Sequence, residues 1–75
     1  MSPPEDSKLV VYLFETTTYV FWAEEVAQEV GIPVDVIPAP PAMGDLCGTA
    51  LRTLRGSAPR FERALEEAGI PFRRH

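Results

Sequence analysis

One side chain in this 75-residue sequence is a ready nucleophile: Cys47, the only cysteine. Gly48 follows at once, and a loop rich in proline, alanine and glycine runs into the pair from Pro38. The thiolate is the reactive form of cysteine, and a free thiol titrates at about 8.5. A helix N-terminus nearby would favour the anion by about 0.3–1 kcal/mol. That lowers the pKa by less than about one unit, so backbone N–H groups must add to it if the thiol is to be reactive at neutral pH. Gly48 is a candidate supporting residue because it carries no side chain and lets a second backbone or a substrate come close. The alternative is that Cys47 packs as an inert, buried small hydrophobe.

Other chemistry finds little support. There is no Cys-x-x-Cys motif, and His75 is the only histidine, so a metal site within one chain lacks ligands. Gly44 and Gly48 do not form a phosphate loop. Serine, histidine and aspartate are too sparse for a hydrolytic triad. Glu24 and Glu25 read as a solvated helix face. No metal and no cofactor is expected, and an enzyme is the least supported class.

The elements that must position the thiol follow from the pattern. Residues 1–7 read as a tail, and residues 8–75 as a single domain. Lys8–Phe14 is rich in β-branched and aromatic residues and predicts a strand, apolar on both faces. Its second face should therefore be partly covered. Thr16, Thr17 and Thr18 then offer hydroxyls to the free N–H groups of a helix start. That helix runs to about Val30 and is ended by Gly31. At about 100° per residue, Tyr19, Val20, Ala23, Val26, Ala27 and Val30 share its apolar face. Phe21 falls among polar residues and Trp22 at the flank, which marks both as candidates for an interface.

Val34–Ile37 predicts a second strand and Thr49–Leu54 a third, separated by the Pro38–Leu46 loop. Arg55-Gly56 turns the chain, and Ser57 is the expected N-cap of a second helix with Pro59 in its first turn. Ala58, Phe61, Ala64, Leu65 and Ala68 form its apolar stripe, Gly69 ends it, and Ile70–Arg74 predicts a last strand. The halves echo each other: Val30-Gly31-Ile32-Pro33 answers Ala68-Gly69-Ile70-Pro71.

The order βαββαβ, with right-handed crossovers, predicts an α+β fold: a ferredoxin-like two-layer sandwich. Its antiparallel sheet has order 4-1-3-2, with both helices on one face. The third strand then starts at the end of the sheet where the first one finishes. Cys47 should therefore lie beside Thr16–Thr18 and the start of the first helix.

Composition excludes other classes. The chain carries seven basic and eleven acidic residues, net charge −4, with no basic stripe. That argues against nucleic-acid binding. Its longest apolar run, Leu9–Phe14, is too short to span a bilayer. The first residues are acidic where a secretory leader would be basic. One cysteine forms no internal disulfide. A cytoplasmic location, away from membranes, is the expectation.

The sequence also resembles a bacterial family of small, largely uncharacterised domains, described as putative selenium/sulfur carrier protein-like. The resemblance spans Val10 to Phe72. It rests on Phe14-Glu15-Thr16-Thr17, Ala23-Glu24, Gly31-Ile32-Pro33, Pro38-Ala39-Pro40 and above all Cys47-Gly48-Thr49-Ala50-Leu51-Arg52. It implies that Cys47 carries sulfur or selenium as a persulfide or perselenide, with donor and acceptor proteins as partners. Members usually have an arginine after the Pro-x-Pro and a serine-rich run before the cysteine. Here Pro41 and Gly44-Asp45-Leu46 stand there. The resemblance thus implies a carrier thiol lacking that cation, and Asp45 sets a negative charge that favours the protonated thiol. A second reading comes from the residues themselves: an interaction or regulatory module, a homodimer or partner-binding domain, in which Cys47 is structural.

Overall fold

The structure, a computed structural model, describes residues 8–39 and 48–74. The expected tail 1–7, Cys47, Pro41, Asp45 and His75 lie outside the described residues. The chain runs β1 (Leu9–Leu13), α1 (Thr17–Glu29), β2 (Val34–Pro38), β3 (Thr49–Leu54), a 3-10 turn (Arg55–Ser57), α2 (Ala58–Ala68) and β4 (Arg73–Arg74). The architecture is α+β: a four-stranded sheet in the order β2-β3-β1-β4, every pair antiparallel, with two helices. Read from the other edge, that order is the expected 4-1-3-2.

One core holds the layers together. Val10, Tyr12 and Phe14 alternate onto one face of β1, with Leu51 beside them from β3. They pack with Val20, Ala23, Val26 and Ala27 of α1 and with Ala58, Phe61 and Leu65 of α2. Tyr12, Phe14, Phe61, Leu51, Leu65 and Val20 are the largest fully buried side chains. A large apolar side chain fully removed from water contributes about 1.5–3 kcal/mol, so these few residues account for most of a thin core. The Tyr12 ring meets Phe61 edge-on at 5.3 Å and Phe72 at 5.6 Å, an arrangement that suits the ring quadrupoles.

The repeated Gly-Ile-Pro is a helix stop used twice. Gly31 (φ 73°) and Gly69 (φ 77°) take the left-handed conformation that other residues resist. The Gly31 and Ile32 N–H groups bond back to Gln28 and Ala27. Those of Gly69 and Ile70 bond to Glu66 and Leu65. Both are Schellman closures, which satisfy the last helical carbonyls. Ile32 and Ile70 are then driven into the core, and the following proline has no N–H with which to continue the helix.

Three expectations need correction. The last strand is Arg73–Arg74, not Ile70–Arg74, because Ile70 is spent on the helix stop and Pro71 lacks a ladder donor. Val30, expected on the buried face of α1, is exposed. It lies past the last helical turn, and its carbonyl instead accepts from the Arg60 guanidinium at 2.8 Å. Ser57 stands at the start of α2 but caps nothing with its side chain. The 3-10 turn leads straight into the helix, with Ser57 already in right-handed conformation (φ −92°, ψ −10°), whereas a capping residue is extended. The second face of β1 is partly covered, as expected: Leu13 is buried, Val11 half-buried and Leu9 exposed.

Candidate functional site

The site is built at the end of the sheet where β1 stops and β3 begins. Leu13 pairs with Ala50, and Ile37 of β2 pairs with the same Ala50. Pro38 pairs with Thr49, and the Ala39 N–H donates to the Gly48 carbonyl at 3.0 Å. These contacts form the foot at which the chain leaves for residues 40–47 and returns from them. Gly48, two residues before Ala50, therefore sits at the end of the sheet from which Phe14 leads into α1.

Gly48 is exposed and has φ 75°. A Cβ placed there would meet nothing within 4 Å. Backbone conformation, rather than crowding by a neighbour, is what requires glycine at this position. The positive φ turns the chain into β3.

The three threonines separate into different roles. Thr16 is the N-cap of α1: extended (φ −136°, ψ 156°), it accepts the Tyr19 N–H at 3.2 Å on its hydroxyl oxygen. A hydroxyl that accepts in this way keeps its own O–H to donate elsewhere. Thr17 and Thr18 lie in the first turn and are exposed. No acidic residue stands in that turn, so the positive end of the helix dipole is not offset from within the helix. Glu15, just before the cap, is exposed. It lines a shallow hollow at this end of β1 together with Leu13, Pro71, Phe72 and Arg73.

The expected interface residues lie on the outer surface of α1. Phe21 is 56% exposed and Trp22 is 42% exposed. The Trp22 ring stacks on Tyr19 with centroids 6.4 Å apart and planes 19° from parallel. The helical spacing of three residues makes that pair. Phe21 is not part of it.

Two polar groupings were not singled out from sequence. Arg52 lies on the sheet face away from the core and bonds Asp35 across the β2–β3 pair at 3.1 Å. Its Nε is buried with no hydrogen-bond partner among the described residues. Strand alternation, with Leu51 and Thr53 inward, was the available signal. The other grouping joins β1, α2 and β4. The Tyr12 hydroxyl donates to the Glu62 carboxylate at 2.7 Å, and Arg74 reaches the same oxygen at 3.2 Å. Burial, and then the bond to Glu62, hold the Tyr12 phenol well above its ordinary range. Nothing local in the sequence joins residues fifty positions apart.

Among the described residues, no group of three or more histidine, cysteine, aspartate or glutamate side chains is gathered to hold a metal ion. No helix there is long and apolar enough to cross a membrane.

The fold and this foot define a small α+β domain that places the residue after its cysteine at the end of the sheet from which the chain leads into its first helix. The chain belongs to the family described as putative Se/S carrier protein-like, whose model matches residues 9–74. No curated protein and no solved structure matches the chain.

Proposed function

We propose that this domain is a carrier of sulfane sulfur or selenium, with Cys47 as the carrier thiol. Membership of the carrier-like family over residues 9–74 is the observation that carries the reading. The Cys47 thiolate attacks the outer sulfur of a donor protein's persulfide. A new S–S bond forms to Cys47, the donor's S–S bond breaks, and the donor leaves as a thiolate. The Cys47 persulfide then yields its outer sulfur to an acceptor thiolate by the same exchange, and no net oxidant is consumed. Gly48 directs the loop into β3 through its positive φ, and the capped start of α1 at Thr16–Thr18 supplies N–H groups and hydroxyls for an anionic sulfur. The domain is read as a ferredoxin-like sandwich working in the cytoplasm between a donor and an acceptor protein.

Intact-mass measurement after incubation with a cysteine desulfurase and cysteine tests the proposal. The wild-type chain should gain the mass of one sulfur, reversed by reductant, and Cys47→Ser should gain none. A chain that alkylates at Cys47 yet never gains sulfur, or selenium from a selenocysteine-fed donor, would overturn the reading.

A second reading is favoured by one observation, the exposed aromatic surface of Phe21 and Trp22. In it the domain is an interaction or regulatory module that dimerises or binds a partner through α1, and Cys47 is structural.

A further inference from the structure

We infer that the hollow at the end of β1 binds a small α-amino acid in its zwitterionic form, with Glu15 on the ammonium and Arg73 on the carboxylate. The inference uses neither Cys47 nor the transfer of sulfur, so it stands or falls apart from the carrier reading.

The hollow comes from the way two chain segments part. Toward α1, the pairing of β1 with β4 ends at Leu13 with Arg73. Past that pair, Glu15 leads away into α1, and Pro71 leads back to Ile70 and the end of α2. Pro71 has no N–H with which to extend the ladder, and Ile70 is held in the core. The space between the segments has a volume of about 130 Å³ and is lined by Leu13, Glu15, Pro71, Phe72 and Arg73. A cavity of about 150 Å³ admits benzene, so a ligand of a small amino acid's size fits.

Charge selects the class of ligand. Glu15 and Arg73 carry opposite charges, are both exposed and line the same hollow. Neither has an ion-pair partner among the described residues, whereas Arg52, Arg63 and Arg74 each reach a carboxylate. Two unlike charges that share a hollow without pairing match a ligand that carries both. A phosphate or a dicarboxylate would be repelled by Glu15, and a diamine by Arg73. A wholly apolar ligand would take both charges out of water with no partner in exchange. A zwitterion meets both needs. Its carboxylate accepts paired N–H groups of the Arg73 guanidinium, and its ammonium donates to the Glu15 carboxylate. Leu13, Pro71 and Phe72 leave an apolar wall for the ligand's own side chain, which favours a short apolar one. The hollow is open to water, so the affinity is modest, with Kd about 1 mM.

The test titrates the full chain, labelled with nitrogen-15, with L-alanine at constant pH. The amide signals of Leu13, Glu15, Phe72 and Arg73 should shift saturably, with half-saturation at about 1 mM. N-acetyl-L-alanine keeps the carboxylate without the ammonium, and L-alaninamide keeps the ammonium without the carboxylate. Each should bind about 3-fold or more weakly, the scale of an exposed charge pair. Two substitutions then assign the charges. Glu15→Gln should weaken alanine binding about 3-fold or more and close the gap between alanine and N-acetyl-L-alanine. Arg73→Gln should close the gap between alanine and alaninamide instead. Should either variant fail to fold, the ranking of the three ligands on the wild-type chain decides alone. The inference is overturned if no signal saturates by about 20 mM alanine, or if the shifts gather away from the hollow. It is also overturned if the blocked ligands bind as tightly as alanine, or if both folded variants bind alanine as the wild type does.

Discussion

Tyr12 and Glu62 lie fifty positions apart in sequence and 2.7 Å apart in the fold, the phenol of β1 donating to the carboxylate of α2. The bond fixes the second helix to the centre of the sheet, and Arg74 brings β4 to the same carboxylate. Removing the donor in Tyr12→Phe keeps the ring and its contacts with Phe61 and Phe72. A hydrogen bond to a charged group contributes about 1.5–3 kcal/mol. Because Arg74 still pairs with Glu62, a loss near the lower end is expected, read as a lower urea midpoint with unchanged slope.

The same residue sets an alkaline limit. The folded Tyr12 phenol titrates above its unfolded value of about 10. A group of this kind contributes its full stability below the unfolded pKa. That contribution is lost as the pH rises through the window between the unfolded and folded values, because only the unfolded chain releases the proton. Unfolding free energy should therefore fall progressively above about pH 10 in the wild-type chain. In Tyr12→Phe this component should be missing. Equal slopes for the two proteins in that range would show that Tyr12 is not the group responsible.

The start of α1 depends on one hydroxyl. Thr16→Ala deletes the acceptor of the Tyr19 N–H and should cost about 1 kcal/mol, while Thr16→Ser restores most of it. If the carrier reading is right, Thr16→Ala should also slow sulfur loading of Cys47 beyond what a matched destabilisation elsewhere does. Thr53→Val, on β3 away from the loop foot, is a suitable comparison for stability alone.

At Gly48 the cost of a side chain is conformational. With φ 75° and no atom within 4 Å of a Cβ, Gly48→Ala should destabilise by about 1–2 kcal/mol through the left-handed backbone alone. Gly48→Asn should recover part of it, since asparagine tolerates that region. Thermal midpoints would rank the three proteins glycine, asparagine, alanine.

The thin core should be sensitive at Phe61. It is fully buried against Tyr12, and Phe→Ala changes in cores cost about 3–5 kcal/mol. A chain of 75 residues has a total stability of about 4–11 kcal/mol at ordinary per-residue values. Phe61→Ala is therefore expected to lose a large share of the stability and melt at a much lower temperature by circular dichroism, and Phe61→Leu to show only a modestly lower midpoint.

The aromatic surface of α1 gives a direct test of association. If the second reading holds, light scattering should report a dimer or larger species for the wild-type chain and a monomer for Trp22→Ala. A wild-type monomer, unchanged by the substitution, would remove self-association from consideration.

Much of the architecture was legible in the sequence because its signals are local. The periodicity of Val20, Ala23, Val26 and Ala27 marks a buried stripe wherever the helix packs. Thr16 before the helix, and Gly31 and Gly69 after the two helices, act within one turn of themselves. The strand order follows from element order and crossover handedness, which leave few arrangements to consider. Cys47, the residue on which the carrier reading turns, lies outside the described residues. The structure reaches that site only through Gly48, the loop foot and the cap of α1.

What the tertiary structure alone decided are relationships between distant residues. Sequence marks Leu9, Val11 and Leu13 as equally apolar, yet burial differs along the three because cover differs from one end of the sheet to the other. It marks Ser57 as a capping residue, but the entry of a 3-10 turn determines its backbone angles. It offers Ile70–Arg74 as a strand, but the Schellman closure takes Ile70 into the core and leaves two residues for β4. The Tyr12–Glu62–Arg74 and Arg52–Asp35 pairings depend on register and helix position, which no window of neighbouring residues contains. Local pattern determines which residues seek burial and where elements stop. Long-range packing determines which partners they meet.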